Sequence, residues 1–290
     1  MEIRDSLAAT SYADRVGADR VGPDRVDGVD RGILYPARLP RFTRVAAPEH
    51  VARLVRWFWV PEWDLEPGRT SRQHLVGFPA SNLVVEDGNR APGLVGLAGP
   101  STRRSHRDLT GRGWAVGAQL LPVAVPAFTD DPALLLDRYV RLDLPDLLTA
   151  VRKEMTADPA GTRPQRAAGT FADWLAAHVP PPGPEALLAN ALVELVDRTL
   201  VRVEDVAARL AVSVRTVQRL ARRHVGLPPA AMIRRRRLQE AAERVRTDPG
   251  ADLASLAAEL GYADHAHLTH DFRSVLGLAP TQYRRMHDPR

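Results

Sequence analysis

Residues 206–229 read VAARLAVSVRTVQRLARRHVGLPP, and residues 256–280 read LAAELGYADHAHLTHDFRSVLGLAP. Side by side they are one pattern. Each opens with a short apolar stretch carrying a small residue in its middle, Ala207 or Ala257, and then breaks at a tight turn. Each restarts at a side chain suited to cap a helix, Ser213 or Asp264, and closes at a glycine, Gly226 or Gly277. Val206 and Leu256 are 50 apart, whereas Ser213 and Asp264, Val217 and Leu268, and Gly226 and Gly277 are 51 apart, so the second copy has one extra residue in its turn. The pattern predicts two helix-turn-helix units joined by an Arg/Ala/Leu-rich helix from about Pro229 to Arg246, which Asp248-Pro249-Gly250 ends.

The second helix of each unit is apolar on one side, at Val217 and Leu220 or at Leu268 and Phe272. The first unit's other face offers Arg215, Gln218, Arg219 and Arg222; the second's offers His265, His267, Thr269, His270 and Arg273. Arginine and glutamine pair bidentately with guanine and adenine edges in the major groove, and the remaining arginines suit phosphates. From Val206 to Gln239 there are nine arginines, including the run Arg234 to Arg237, and no Asp or Glu. One such hairpin would read equally well as a solvated helical domain. Two at constant spacing, with acids absent from the first basic run, favour double-stranded DNA, met at major-groove faces about one turn (roughly 34 Å) apart.

These residues resemble the AraC/XylS class of bacterial transcription regulators. The first signature of that class, Gly-x-x-Pro-x-x-(aromatic or Met)-Leu/Ile-x-x-x-Arg-Leu-x-x-Ala, is met by Gly226, Pro229, Met232, Ile233, Arg237, Leu238 and Ala241. The second is met by Gly261, Tyr262, Phe272, Arg273, Gly277, Pro280, Tyr283 and Arg284. The resemblance spans about Leu200 to Arg285. It implies base-reading positions at Arg215, Gln218 and Arg219 in the first unit and at His265, Ala266, Thr269 and His270 in the second. Ser213, Arg222 and Arg273 complete the expected DNA contacts. It also implies that Arg237 holds the two halves together. Two positions depart from the class: His270 stands where many relatives have arginine, and Ala221 replaces an aromatic residue.

Working outward, Pro180-Pro181-Pro182-Gly183-Pro184 is the clearest boundary, a semi-rigid spacer. Before it, residues 33–145 read mainly as short strands: Leu54–Val60 with Trp57 and Trp59 on one face, then Leu75–Phe78, Leu83–Val85, Leu94–Leu97 and Trp114–Leu121, punctuated by Pro and Gly. Ala133–Tyr139, Leu144–Glu154 and Phe171–Val179 read as helices. The expected class is α+β: a disordered tail over 1–31 and a β-rich sensor over 32–145, a small barrel of the cupin-like kind attached to many such regulators. A helical linker and candidate dimerisation segment follows over 146–184, and an all-α DNA-binding domain over 185–290. The tail's near-repeat Asp14-Arg15-Val16, Asp19-Arg20-Val21, Asp24-Arg25-Val26 is too poor in apolar groups to offset ordering entropy.

Composition removes other classes. The 290 residues include no cysteine, which excludes disulfides, thiol catalysis and Cys-ligated metals and fits a reducing cytoplasm. No apolar run approaches the ~20 residues of a membrane span, so no membrane role is expected. A lone lysine, Lys153, against 39 arginines points to genome composition and not to function. His265, His267 and His270 look like a metal set, but His265 points away from the other two and no carboxylate completes them, so neither metal nor cofactor is expected. No nucleophile elbow or phosphate-binding loop occurs, so the chain is not read as an enzyme; the alternative is an enzymatic or scaffold barrel tethered to DNA. The expected partners are double-stranded DNA, a small-molecule effector near Trp57, Trp59 and His74, a second copy of the chain in a homodimer, and RNA polymerase as a further candidate.

Overall fold

The computed structural model describes residues 41–75, 79–88, 91–102, 105–198, 202–248 and 250–287. The tail over 1–31 and the readings on 76–78 lie outside the described residues. The amino-terminal half carries β1 (Arg41–Ala46), β2 (Val55–Asp64), β3 (Thr70–Leu75), β4 (Asn82–Gly88), β5 (Ala91–Ala98), β6 (Ser105–Thr110), β7 (Arg112–Leu120) and β8 (Tyr139–Leu142), then α1 (Pro145–Thr156) and α2 (Arg163–His178). The expected small barrel takes the form of a six-stranded antiparallel sheet, ordered β1-β2-β7-β4-β5-β8, faced by the two-stranded ribbon β3-β6.

Period-two alternation sends Phe58 and Val60 of β2 to one face, where they meet Leu83 and Val85 of β4 and Val116 and Ala118 of β7. Both helices close over that face. Leu147, Val151 and Met155 recur at four-residue steps along α1, and Phe171 of α2 packs on Phe58 with ring centroids 5.6 Å apart. The segment expected as a linker over 146–184 therefore shares one continuous core with the sheet, because its apolar stripes are consumed there. On the opposite face the Trp59 indole lies flat over Gly117, where a β-carbon would collide with it, and its Nε1 donates to Asn82 Oδ1 at 3.0 Å. Buried Glu86 accepts from the Tyr139 hydroxyl at 3.0 Å and pairs with Arg107 of β6, which ties the ribbon to the sheet.

One expected helix is absent. Ala133–Tyr139 is a 3-10 turn over Pro132–Leu135 followed by β8. Asp131 caps that turn through Ala133 N, and Asp137 takes a left-handed φ of 56°, held by Ser101 and Thr102. The chain then runs extended so that Tyr139–Leu142 can satisfy the outer edge of β5.

The carboxyl-terminal half is helical: α3 (Pro184–Arg198), α4 (Val203–Arg209), α5 (Val214–His224), α6 (Pro229–Thr247), α7 (Leu253–Glu259), α8 (His265–Leu276) and α9 (Pro280–His287). It has two cores. Leu192, Val196, Val206, Val217 and Leu220 form the first with Met232 and Ile233 of α6. Leu256, Leu260, Leu268, Phe272 and Tyr283 form the second with Leu238, Ala241 and Val245 of the same helix. The halves meet along α3, where Asn190 accepts from Val123 N at 3.1 Å and donates to Arg53 O at 2.8 Å, and Asp197 pairs with Arg56 of β2.

Phe171→Ala should lower the stability of the sheet half by ~3–5 kcal/mol, read as a shift of its urea midpoint, because a fully buried ring leaves a cavity that α2 cannot collapse into. A shift equivalent to less than ~1 kcal/mol would show that α2 is not part of that core.

Candidate nucleic-acid interface

The two turns share one geometry. In the first, Ala211 takes φ of 53° and Val212 N donates to Ala207 O at 3.0 Å; in the second, Gly261 takes φ of 73° and Tyr262 N donates to Ala257 O at 2.9 Å. Each following helix is capped as the spacing required. The Ser213 hydroxyl accepts from Thr216 N at 3.1 Å, and Asp264 Oδ1 accepts from His267 N at 2.7 Å. Glycine then ends each unit in a left-handed conformation, at Gly226 (φ 82°) and Gly277 (φ 72°).

These caps and turns fix which way each helix faces. On α5, Val217, Leu220, Ala221 and His224 are buried, while Ser213, Arg215, Gln218, Arg219 and Arg222 are exposed. On α8, Leu268, Asp271, Phe272 and Val275 are buried; His265, Ala266, His270 and Arg273 are exposed and Thr269 is half-buried. Arg215 and Arg222 have no acidic partner among the described residues. The His265 Nε2 and Thr269 Oγ1 lie 3.3 Å apart, and His267 packs edge-on against Tyr262 at 5.2 Å. Among the described residues no three His, Cys, Asp or Glu side chains gather as metal ligands.

The basic run divides into two kinds of arginine, which the charge count alone could not separate. Those of α5 face outward, but Arg234 to Arg237 of α6 lie against the protein's own groups, Arg235 buried and the other three at or near the surface. Arg234 Nε donates at 2.8 Å to Asp271, a carboxylate only 1% exposed. Arg235 is buried at the junction with the sheet half, where burial pushes its guanidinium down to about 10 against the attraction of Asp137. Arg236 donates to the Asp197 carbonyl at 2.8 Å and to Glu240 at 3.0 Å. Arg237 Nη1 donates to the Gly261 carbonyl at 3.1 Å, so it ties α6 to the second turn. Arg244 joins the same strut by pairing with Glu240 and with Glu259 of α7.

One participant left no sequence signal. Glu185, in the first turn of α3, accepts from Arg219 Nη1 at 2.9 Å and from Arg223 Nη1 at 3.4 Å across a gap of more than thirty residues. Burial opposes its ionisation, but Arg219 foremost, then Arg223 and His224, hold its carboxyl below the usual glutamate range. His224 is pushed the other way from a paired histidine: burial lowers it below the usual imidazole range despite Glu185, with Arg223 and Arg219 adding to the effect.

In the sheet half, the Arg44 and Arg56 guanidiniums lie over the Trp57 ring at 4.4 and 4.5 Å, and Trp59 is engaged by Asn82 and Gly117. The His74 side chain lies outside the described residues; its backbone pairs with His106 across the ribbon. A cleft between the halves is lined by Arg56, Ser81, Gln119, Val193 and His224, and neither Trp57 nor Trp59 borders it. No helix among the described residues is long and apolar enough to cross a membrane.

Residues 206–286 match the family described as "Helix-turn-helix domain", and residues 43–141 match one described as a domain of unknown function (DUF6597). The chain is 33% identical over 85 residues to the HTH-type transcriptional activator RhaS of Escherichia fergusonii, covering 29% of this chain and 30% of that protein. It is 31% identical over 83 residues to an uncharacterised HTH-type transcriptional regulator of Haemophilus influenzae, covering 29% of this chain and 28% of that one. The chain thus spans under a third of the length of these curated relatives. Among solved structures, ToxT from Vibrio cholerae aligns with 79% of this chain and 98% of its own at 10% identity and a TM-score of 0.41.

Two outcomes follow from the turns and from His224. Ala211→Gly should stabilise the protein by ~0.5–1 kcal/mol in urea unfolding, because a β-carbon is strained at positive φ and glycine is not. His224 binds its proton less readily when folded than its unfolded value of 6.5, so the unfolded chain takes up more protons just below that pH. Its contribution is complete above pH 6.5 and declines as pH falls from there, and His224→Gln should flatten that part of the stability–pH curve.

Proposed function

We propose that this chain, whose carboxyl-terminal module is an AraC/XylS-type helix-turn-helix domain, regulates transcription by binding specific DNA sequences under control of a small molecule. The observation that carries the reading is the pairing of two outward-facing, capped helices, α5 and α8, on one shared strut, α6. Two recognition faces on one rigid helix suit successive major-groove faces of a duplex better than any surface built for solvation. In this reading Arg215, Gln218 and Arg219 contact base edges, with Arg222 on phosphate and the exposed Ser213 at the helix start beside it. His265, Ala266, Thr269 and His270 take the corresponding places in the second unit, with Arg273 on phosphate. His270 stands where an arginine would offer a guanidinium fork to phosphate, so the second half-site contributes less to affinity than the first.

The sheet half is the effector domain and the seat of homodimerisation, and the protein is cytoplasmic and non-enzymatic. Trp57, Trp59 and His74 are the effector-contact candidates in this reading, and the two indoles are its reporters, because Trp57 lies against the Arg44 and Arg56 guanidiniums and Trp59 is bonded to Asn82. RhaS is an activator by its name; which sign applies here is set by where the operator lies relative to the polymerase site.

The test is titration of the full-length chain onto DNA from beside its own gene. Binding should weaken steeply as salt rises, since guanidinium–phosphate contacts release counterions. Arg219→Ala should lose ~1–3 kcal/mol on the preferred site and relax discrimination at one base pair. A salt-independent affinity, or an equal loss on every sequence, would refute the reading or the assignment of Arg219 respectively.

A further inference from the structure

The face of α5 that would meet DNA is partly occupied by the protein's own carboxylate. A single oxygen of Glu185 accepts from both Arg219 and Arg223, which lie one turn apart on α5, and His224 Nε2 is 3.6 Å from the same atom. The three side chains remain in contact with water, Glu185 at 38%, Arg219 at 54% and Arg223 at 68% exposure, so a competing anion can reach the guanidiniums. Carboxylate and phosphate oxygens offer a guanidinium the same kind of charge-assisted acceptor. We propose that Glu185 is a built-in anionic competitor for DNA, holding Arg219 and Arg223 off bases and phosphates until α3 shifts. This rests on the DNA-binding reading above.

The position of Glu185 makes the competition adjustable. It begins α3 directly after the proline-rich spacer that leads out of α2, and five residues on, Asn190 fastens the same helix to the sheet half by two hydrogen bonds. Asp197, near the far end of α3, is fastened again by Arg56 of β2. A helix held at two points by the sheet half, with a carboxylate on the recognition helix, carries any displacement of that half to Arg219. A carboxylate that merely oriented Arg219 for reading would have the opposite effect on affinity, so the sign decides between them.

The experiment uses the full-length chain and a short fluorescein-labelled duplex of mixed sequence, followed by anisotropy at several salt concentrations. Glu185→Gln should bind roughly two- to five-fold more tightly than the parent, the range expected when a solvent-exposed ion pair is released. Its salt dependence should steepen by up to ~0.9 per freed phosphate contact. Glu49→Gln, which removes an exposed carboxylate from the sheet half, should change nothing. Equal or weaker binding by Glu185→Gln, or an equal gain in Glu49→Gln, would overturn the proposal while leaving DNA binding intact. No binding by either the parent or Glu185→Gln would overturn both readings. If circular dichroism shows Glu185→Gln unfolded, Glu185→Asp, which withdraws the carboxylate by one methylene, should also tighten binding, and failure to do so counts against the proposal. Asn190→Ala should alter the affinity of the parent but not that of Glu185→Gln; equal changes in both would overturn transmission through α3.

Discussion

Everything the carboxyl-terminal half presents depends on one helix belonging to two cores. α6 is 19 residues long; its first turns place Met232 and Ile233 in one helix-turn-helix unit and its later turns place Leu238, Ala241 and Val245 in the other. A buried apolar stripe shared this way forbids either unit from rotating without opening its own core. The arginines of α6 fix the remaining freedom. Arg234 is locked on a carboxylate with almost no access to water, Arg236 on the last turn of α3 and Arg237 on the turn before α8. A guanidinium matched to a buried carboxylate, as Arg234 is to Asp271, is directional as well as attractive, and with the two carbonyl contacts of Arg236 and Arg237 it helps define the angle between units and not merely their proximity.

The same logic extends to the junction with the sheet. Asp197 receives Arg236 on its carbonyl and Arg56 on its carboxylate, so one residue of α3 touches both the strut and β2. Gly226, where α5 ends, has no space for a side chain because the Pro132 carbonyl stands where its β-carbon would be. The turn over Pro132–Leu135 thus presses on the end of a recognition helix, and Arg235 fills the junction beside Asp137. Sheet, α3, α5 and α6 are in direct contact, which gives an event in the sheet half a physical route to the DNA-facing side chains.

Much of this was legible in the chain. The two caps, the two turns, the terminating glycines and the outward sets on α5 and α8 all follow from spacing, because helix geometry is local and each signal lies within a few residues of its effect. What escaped was non-local. Tyr139–Leu142 has helical neighbours and an unremarkable pattern, and becomes a strand only because β5 offers it an unpaired edge. Strand β1 and the ribbon β3-β6 carry weak apolar signals and exist through pairing with partners distant in the chain. The arginine run misled for the same reason: charge is visible in a sequence, but whether Asp271 or Asp197 waits opposite is not.

The sequence by itself determined the repeat, its capped helices, the side chains they turn outward and the break at Pro180–Pro184, since each rests on periodicity or on backbone constraints that act over one or two turns. Tertiary structure alone decided which guanidiniums remain available. Arg219 and Arg222 are three residues apart on one face, yet one meets Glu185 and the other meets water. That difference arises from the placement of α3, which is set by its packing on α5 and its fastening to the sheet, and electrostatic partners brought together by packing leave no trace in local sequence.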